Sequence, residues 1–263
     1  MYNVEMDLSQ FPDKPAYDIG QRAMVTERGP RGEDFAKQIL GTVAGDLSKP
    51  SRDLIVLDIG SGYGHTALAL ARQVKQVVGI EPCAEPARIA KQLQEQEQAT
   101  NASFHHATLE GWQTVQQFDL IILDNVLEHL PDQKGALQKI ESLLAPGGVL
   151  YLLVPNKYWP VEVHYHLPFL SWLPVDFANV YLKLTGKGTD YTDASYAPGF
   201  LKMVRLMNQH KTWHWRFALP ANLAWTTAGS AWHYRFGAKL LKHCPGLWAI
   251  SKAFLIVAKK RLS

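Results

Sequence analysis

The chain has 263 residues, 47% of them hydrophobic and 19% charged, a balance that excludes a disordered or fibrous protein. Its two cysteines, Cys83 and Cys244, stand in no metal-binding or redox spacing, so a disulfide framework and a zinc knuckle are excluded and a reducing compartment fits. The net charge of +3 conceals an asymmetry: residues 1–155 carry 13 Lys or Arg against 20 Asp or Glu, and residues 156–263 carry 14 against 4 and seven of the eight tryptophans.

A basic, aromatic-rich second part suits an anionic substrate, an anionic membrane surface or nucleic acid, or equally a solvated basic face over a Trp-rich core. The first fifteen residues lack the basic start and apolar run of a secretory signal. The longest candidate span, Leu247 to Ala258, is interrupted by Lys252 and falls short of the roughly 18 apolar residues required. The expectation is a cytoplasmic chain without a transmembrane helix.

Residues 1–53 read as an amino-terminal helical cap, its best helix being Gly32 to Val43, where Phe35, Ile39, Leu40 and Val43 share one side. From Leu54 short apolar runs alternate with amphipathic ones, the βαβ signature of a parallel sheet. Strands are predicted at Leu54–Ile59, Val77–Glu81, Ser103–His106, Phe118–Leu123 and Gly148–Val154. Helices are predicted near Gly64–Val74, Glu85–Thr100 and Asp132–Leu144. Runs such as LIVLDI and VLYLLV are apolar on both sides because helices are to cover both sheet faces.

The rhythm breaks after Pro155. Residues 156–195, punctuated by Pro160, Pro168 and Pro174, read as an insertion of short helices and loops. Residues 196–263 complete the sheet with a helix at Tyr196–Gln209, strands at Trp213–Ala218 and Ala253–Lys259, and a Trp-rich helical stretch at Ala221–Lys242. The predicted fold class is α/β: a doubly wound, Rossmann-like, seven-stranded and mostly parallel sheet with an insertion after the fifth strand.

Within the 54–155 core, VLDIGSGYGHTALALA runs from a strand ending in Asp58, through Gly60, Gly62 and Gly64, into a helix. Glycines let such a loop turn tightly and let a ligand approach the backbone. Glu81 ends the next strand, where its carboxylate can accept hydrogen bonds from both hydroxyls of a ribose. A dinucleotide fingerprint starting at Gly60 needs glycine at position 65, and His65 is there. That register disfavours a nicotinamide-dependent oxidoreductase, which stays as an alternative beside a catalytically silent cofactor-binding accessory protein.

The spacing Asp-x-Gly-x-Gly-x-Gly resembles motif I of the class I S-adenosylmethionine-dependent methyltransferases, and the resemblance extends over Leu54 to Val154. It implies S-adenosyl-L-methionine as cofactor, with Asp58 near its methionine amine and Thr108 and Leu109 flanking its adenine. The implied contact set is Asp58, Gly60, Ser61, Gly62, Tyr63, Gly64, Glu81, Pro82, Thr108, Leu109, Asp124 and Asn125. The run Leu127-Glu128-His129-Leu130 resembles the ubiquinone-type O-methyltransferase branch. Some relatives there hold a metal with an acid followed three and four places on by an acid and a histidine. Here the first position is Asn125, a poorer ligand for a hard cation, so no metal is expected.

Ligands of open α/β sheets sit beyond the carboxyl ends of the strands, the edge from which the insertion leaves. Its opening segment, PNKYWPVEVHYHLPFLSWLP, resembles methyltransferases of bacterial surface-polysaccharide and glycolipid pathways, which implies a small-molecule, saccharide or lipid-linked acceptor. Glu162, His164 and His166 alternate, so an extended segment would point all three one way. Methyl transfer is an in-line displacement that needs a base only when the acceptor carries a proton, and imidazole oriented by carboxylate fits that task. These three and His129 are the candidate catalytic residues, under a lid of the amino-terminal segment and the insertion. Interleaved Lys and Trp over Trp213–Lys242 allow peripheral contact with an anionic membrane, and no nucleic-acid-binding module is recognisable.

Overall fold

The computed structural model describes residues 31–226 and 232–262. The expectations for residues 1–30, and for 227–231 within the Trp-rich stretch, lie outside them. After helix α1 (Gly32–Val43), strands and helices alternate except between β3 and β4, which a loop joins: β1 (Ile55–Ile59), α2 (His65–Ala71), β2 (Gln76–Glu81), α3 (Ala84–Gln96), β3 (Ala102–His106), β4 (Phe118–Asp124), α4 (Gln133–Leu143) and β5 (Leu144–Pro155). The second part adds α5 (Val175–Thr185), α6 (Phe200–Asn208), β6 (Trp213–Phe217), α7 (Trp232–His243) and β7 (Ala253–Lys260).

The seven strands form one sheet in the order β3-β2-β1-β4-β5-β7-β6. The first five pair in parallel, whereas β7 is antiparallel to both β5 and β6. Ile59 faces Ile80 and Leu123, and Glu81 faces His106, so the carboxyl ends of the parallel strands share one edge. The chain order reverses between β1 and β4, and that switch point opens a crevice where such sheets hold ligands.

Both sheet faces are dry. Leu57, Leu123, Leu152 and Phe254 pack on one, and Val56, Leu120, Val149 and Tyr151 on the other, each fully buried Leu or Val contributing about 1.5–3 kcal/mol. That two-sided burial is why the strand sequences show no polar alternation. The insertion carries a core of its own, in which Tyr165, Leu167, Leu170, Ala178, Leu182 and Tyr191 pack together.

The sheet and α1 follow the predicted pattern. Strand β5 begins at Leu144, earlier than expected, because Leu144 pairs with Phe118 and a register shift before Leu120 absorbs the intervening glycines. Helix α6 starts at Phe200 because Pro198 and Gly199 hold the chain extended before it. The expected helix over Ala221–Lys242 is divided into a 3-10 turn at Leu223–Trp225 and α7. No described helix is long and apolar enough to cross a membrane.

Candidate functional site

The loop after β1 is shaped by three left-handed glycines, Gly60 at φ 70°, Gly62 at 55° and Gly64 at 80°. At Gly60 a side chain would run into Val126, so the bend closes directly onto the turn after β4. Gly64 packs against the Phe104 ring, where a Cβ would sit 2.8 Å away. The second glycine leaves open space, the gap through which a ligand reaches the backbone.

Glu81 holds this loop from the neighbouring strand end. One carboxylate oxygen accepts the Gly62 N–H at 2.9 Å and the other accepts the Cys83 N–H at 2.9 Å. Each oxygen keeps a lone pair for a further donor, the arrangement a ribose diol needs. Gly60, Ser61, Gly62, Tyr63, Glu81, Pro82, Thr108, Leu109, Asp124 and Asn125 all line one cavity of about 1400 Å³. Asp58 and Gly64 lie behind its wall: Asp58 is 5% exposed and sits between Gly79 and Ile122 in the sheet.

His65, where a dinucleotide fingerprint would place glycine, also lines the cavity. Burial pushes its pKa down against a weaker pull upward from Glu97.

The acceptor-side prediction needs a correction. Residues 161–168 form a tight turn closed by a Val161–Pro168 bridge rather than an extended segment. Glu162 causes it: one side-chain oxygen accepts the N–H groups of His164 at 2.8 Å and Tyr165 at 2.7 Å, and its carbonyl accepts that of His166. Glu162 and His164 therefore stay together, Oε1 to Nδ1 at 2.7 Å. His166, left-handed at φ 54°, turns out to an exposed position on the cavity rim.

His164 meets His129, the two rings packing edge to face at 5.4 Å. Each Nε2 stands 4.0 Å from Oε1 of Glu128. His129 Nδ1 lies 3.0 Å from an Asp193 carboxylate oxygen. Glu128 is 0% exposed, and neither carboxylate oxygen accepts a hydrogen bond from another described residue.

Burial drives its pKa up to about 7, opposed by the imidazoles of His129 and His164. For His129 burial lowers the pKa, but the hydrogen bond to Asp193 and the charge of Glu128 outweigh it and the net shift is upward. For Glu162 burial raises the pKa, and the His164 ring and backbone N–H groups overcome it, so the group stays below the usual carboxylate range.

Four contributors lay outside the sequence expectations. Glu128 was visible in the LEHL run beside His129, but nothing local told of its burial. Asp193 reaches the site only through the fold of the insertion. Arg31 and Gln38 line the cavity from α1 and its start, and they tie it to the chain after β6: Arg31 bonds the Thr226 carbonyl and Gln38 Oε1 accepts the Asn222 N–H at 3.0 Å. Their partners are some 190 positions away, beyond any local motif.

The metal pattern of the ubiquinone-type relatives is incomplete in its own terms. Asn125 is left-handed at φ 55° and donates its side-chain N–H to Asp124 at 2.7 Å. Yet Glu128, His129 and His164 offer ligand atoms all within 4.8 Å of one another, so a donor set suited to a divalent cation is present.

Known proteins agree with this frame. A family profile described as "Methyltransferase domain" matches residues 33–237. The ubiquinone biosynthesis O-methyltransferase of Histophilus somni (strain 2336) is 33% identical over 153 residues, covering 56% of this chain and 60% of that protein. That of Aeromonas salmonicida (strain A449) is 34% identical over 104 residues, covering 39% and 43%. The matched stretch thus spans less than two thirds of these curated relatives.

Two solved structures share the fold. YcgJ from Bacillus subtilis gives a TM-score of 0.53 at 18% identity, over 85% of this chain and 98% of that one. The plantazolicin methyltransferase BpumL, solved with a triazolic desmethylPZN analog and SAH, gives 0.57 at 14%, over 94% and 96%. The nicotinamide alternative lacks the glycine register. Since the family match runs from α1 through the glycine loop to α7 and takes in most of the chain, the protein belongs to the methyltransferase domain family.

Proposed function

We propose that the protein is an O-methyltransferase whose acceptor hydroxyl is received between His129 and His164, in the cavity that also holds the cofactor loop. The observation that carries this reading is the Glu162–His164 pair. A carboxylate only accepts hydrogen bonds, so the 2.7 Å contact puts a ring proton on Nδ1, and in the neutral ring the lone pair is then on Nε2, toward the cluster. That is the form an imidazole needs to take a proton from a hydroxyl as its oxygen attacks the methyl group.

In this reading the methionine and ribose parts of the cofactor lie along Gly60–Gly64 and Glu81, with Asp58 and Gly64 shaping the loop from behind. The adenine lies near Thr108 and Leu109. The methyl leaves sulfur for oxygen in line, and most of the catalysis is alignment of the two. The lid of the reading is the paired region of α1 and residues 219–226, with the insertion opposite. His166, on the rim, contacts the acceptor rather than the proton.

The acceptor class is a small molecule, a saccharide or a lipid-linked hydroxyl compound. Oxygen as the methylated atom is supported by the O-methyltransferases among the relatives. The reading also includes a cytoplasmic location with peripheral contact to an anionic membrane. Trp232, Phe236 and Leu240 are exposed at helical spacing on α7, with Arg235, Lys239 and Lys242 on the same helix, a pairing that suits a lipid headgroup zone.

Transfer of labelled methyl from S-adenosylmethionine to phenolic, saccharide and lipid-linked hydroxyl compounds tests the reading. Labelled ether in one class, lost in His164→Ala, is expected. Label on nitrogen or carbon, or no transfer to any class despite tight cofactor binding, overturns it, the latter in favour of an accessory protein.

A further inference from the structure

We infer that Glu128, His129 and His164 form a site for one divalent transition-metal ion, zinc by preference, in which His164 from the insertion supplies the ligand that Asn125 does not. The inference builds on the proposed acceptor site, because it assigns that site a second occupant.

Three observations carry it. Glu128 is wholly enclosed and no described neighbour donates to either oxygen; a carboxylate taken out of water without a partner is costly. The donors also converge: Oε1 of Glu128 stands 4.0 Å from each Nε2 and all three ligand atoms lie within 4.8 Å of one another, so small side-chain shifts bring them to the roughly 2 Å bond lengths of zinc.

The third observation is the outer layer. His164 Nδ1 is held by Glu162 at 2.7 Å and His129 Nδ1 by Asp193 at 3.0 Å. A carboxylate behind each ligating histidine is the arrangement that fixes the ring and its tautomer and strengthens the far nitrogen as a ligand. No such layer is needed for two histidines that merely line a cleft.

The donor types decide the ion. One carboxylate and two imidazoles favour zinc and its transition-metal neighbours, while magnesium and calcium favour oxygen sets. Replacing an acid by an amide at position 125 and adding a histidine at 164 shifts the site in that direction. His129 and His164 both face the cavity, so three protein ligands leave a position open to the acceptor. When bound, the ion would supply Lewis acidity toward the acceptor hydroxyl; in its absence His164 keeps the proposed role of base.

The test is calorimetric titration of the chelator-stripped full chain with Zn²⁺ and with Mg²⁺, with metal content per chain measured after dialysis. One zinc per chain is expected, with Mg²⁺ binding at least 100-fold weaker. His164→Ala and Glu128→Gln should each weaken zinc binding at least 100-fold, and Glu162→Gln, which removes no ligand, about 10- to 100-fold. Affinity for SAH, unchanged in Glu162→Gln, shows that the site has kept its fold.

Zinc binding no tighter in the wild type than in Glu128→Gln overturns the inference, as does equal preference for Mg²⁺. The proposed acceptor site fails separately, if His164→Ala transfers methyl at the wild-type rate in the presence of chelator.

Discussion

The two walls of the cavity are built on opposite plans. The wall proposed for the cofactor comes from consecutive strand ends and offers mainly backbone: the glycine bend, the N–H groups held by Glu81, the turn after β3. The wall proposed for the acceptor is assembled from a 3-10 turn after β4, a tight turn at 161–168 and Asp193 far along the insertion, and it offers side chains. The first wall is fixed by sheet register and serves any chemistry that uses the same cofactor. The second can be rebuilt by changing a loop, which is where acceptor specificity has room to differ.

That division can be broken most sharply at His164. His164→Ala should lower the methyl-transfer rate by about 10²- to 10⁴-fold, the range of a lost general acid–base group, while SAH binds as before. Loss of rate and of SAH affinity together would show that the two walls are not separable.

Glu81→Ala should do the reverse, weakening SAH by about 100-fold as two charge-assisted hydrogen bonds are lost. Titration calorimetry reads this directly, and an unchanged affinity would remove the ribose assignment. Gly60→Ala probes the backbone character of the same wall. A left-handed alanine costs about 1–2 kcal/mol, and its methyl meets Val126, so a loss of about 2–3 kcal/mol in chemical denaturation is expected, with weaker SAH binding.

The smallest effect belongs to a place that serves neither wall. Glu141 on α4 binds His210 at 2.7 Å and also Thr212, and its carbonyl accepts the Lys260 ammonium. Burial raises its pKa, but these partners outweigh burial and the net shift is downward. A carboxyl with a lowered folded pKa stabilises above its unfolded value, near 4.5, and loses that contribution as the pH falls below it. Glu141→Gln should cost about 1 kcal/mol at pH 7, visible as a lower Tm, with the difference fading below about pH 4 and no change in SAH affinity. A pH-independent difference would assign the effect to packing.

The contrast between the walls also explains what was legible in the sequence. VLDIGSGYG and Glu81 are seventeen residues apart along one βαβ unit, and period, turn chemistry and strand ends are local properties. The parallel pairing of the first five strands follows from the same alternation, whereas their order in the sheet does not. His164 was legible as a residue type beside Glu162, but its geometry was not, because the turn arises when a buried Glu162 captures two backbone N–H groups that an extended reading leaves free. Glu128 stood in plain view next to His129; its enclosure depends on Tyr196, whose N–H bonds the Glu128 carbonyl, and on the insertion folding over it. Asp193 and Arg31 carry no local signal at all.

The most direct test of the central claim, that one cavity sets the cofactor's sulfur against the His129–His164 cluster, is a crystal structure with SAH bound. The account predicts both ribose hydroxyls on Glu81 and the sulfur directed toward the Nε2 atoms across space sufficient for a hydroxyl group. A sulfur turned away from that cluster, or a ribose held elsewhere, would contradict it.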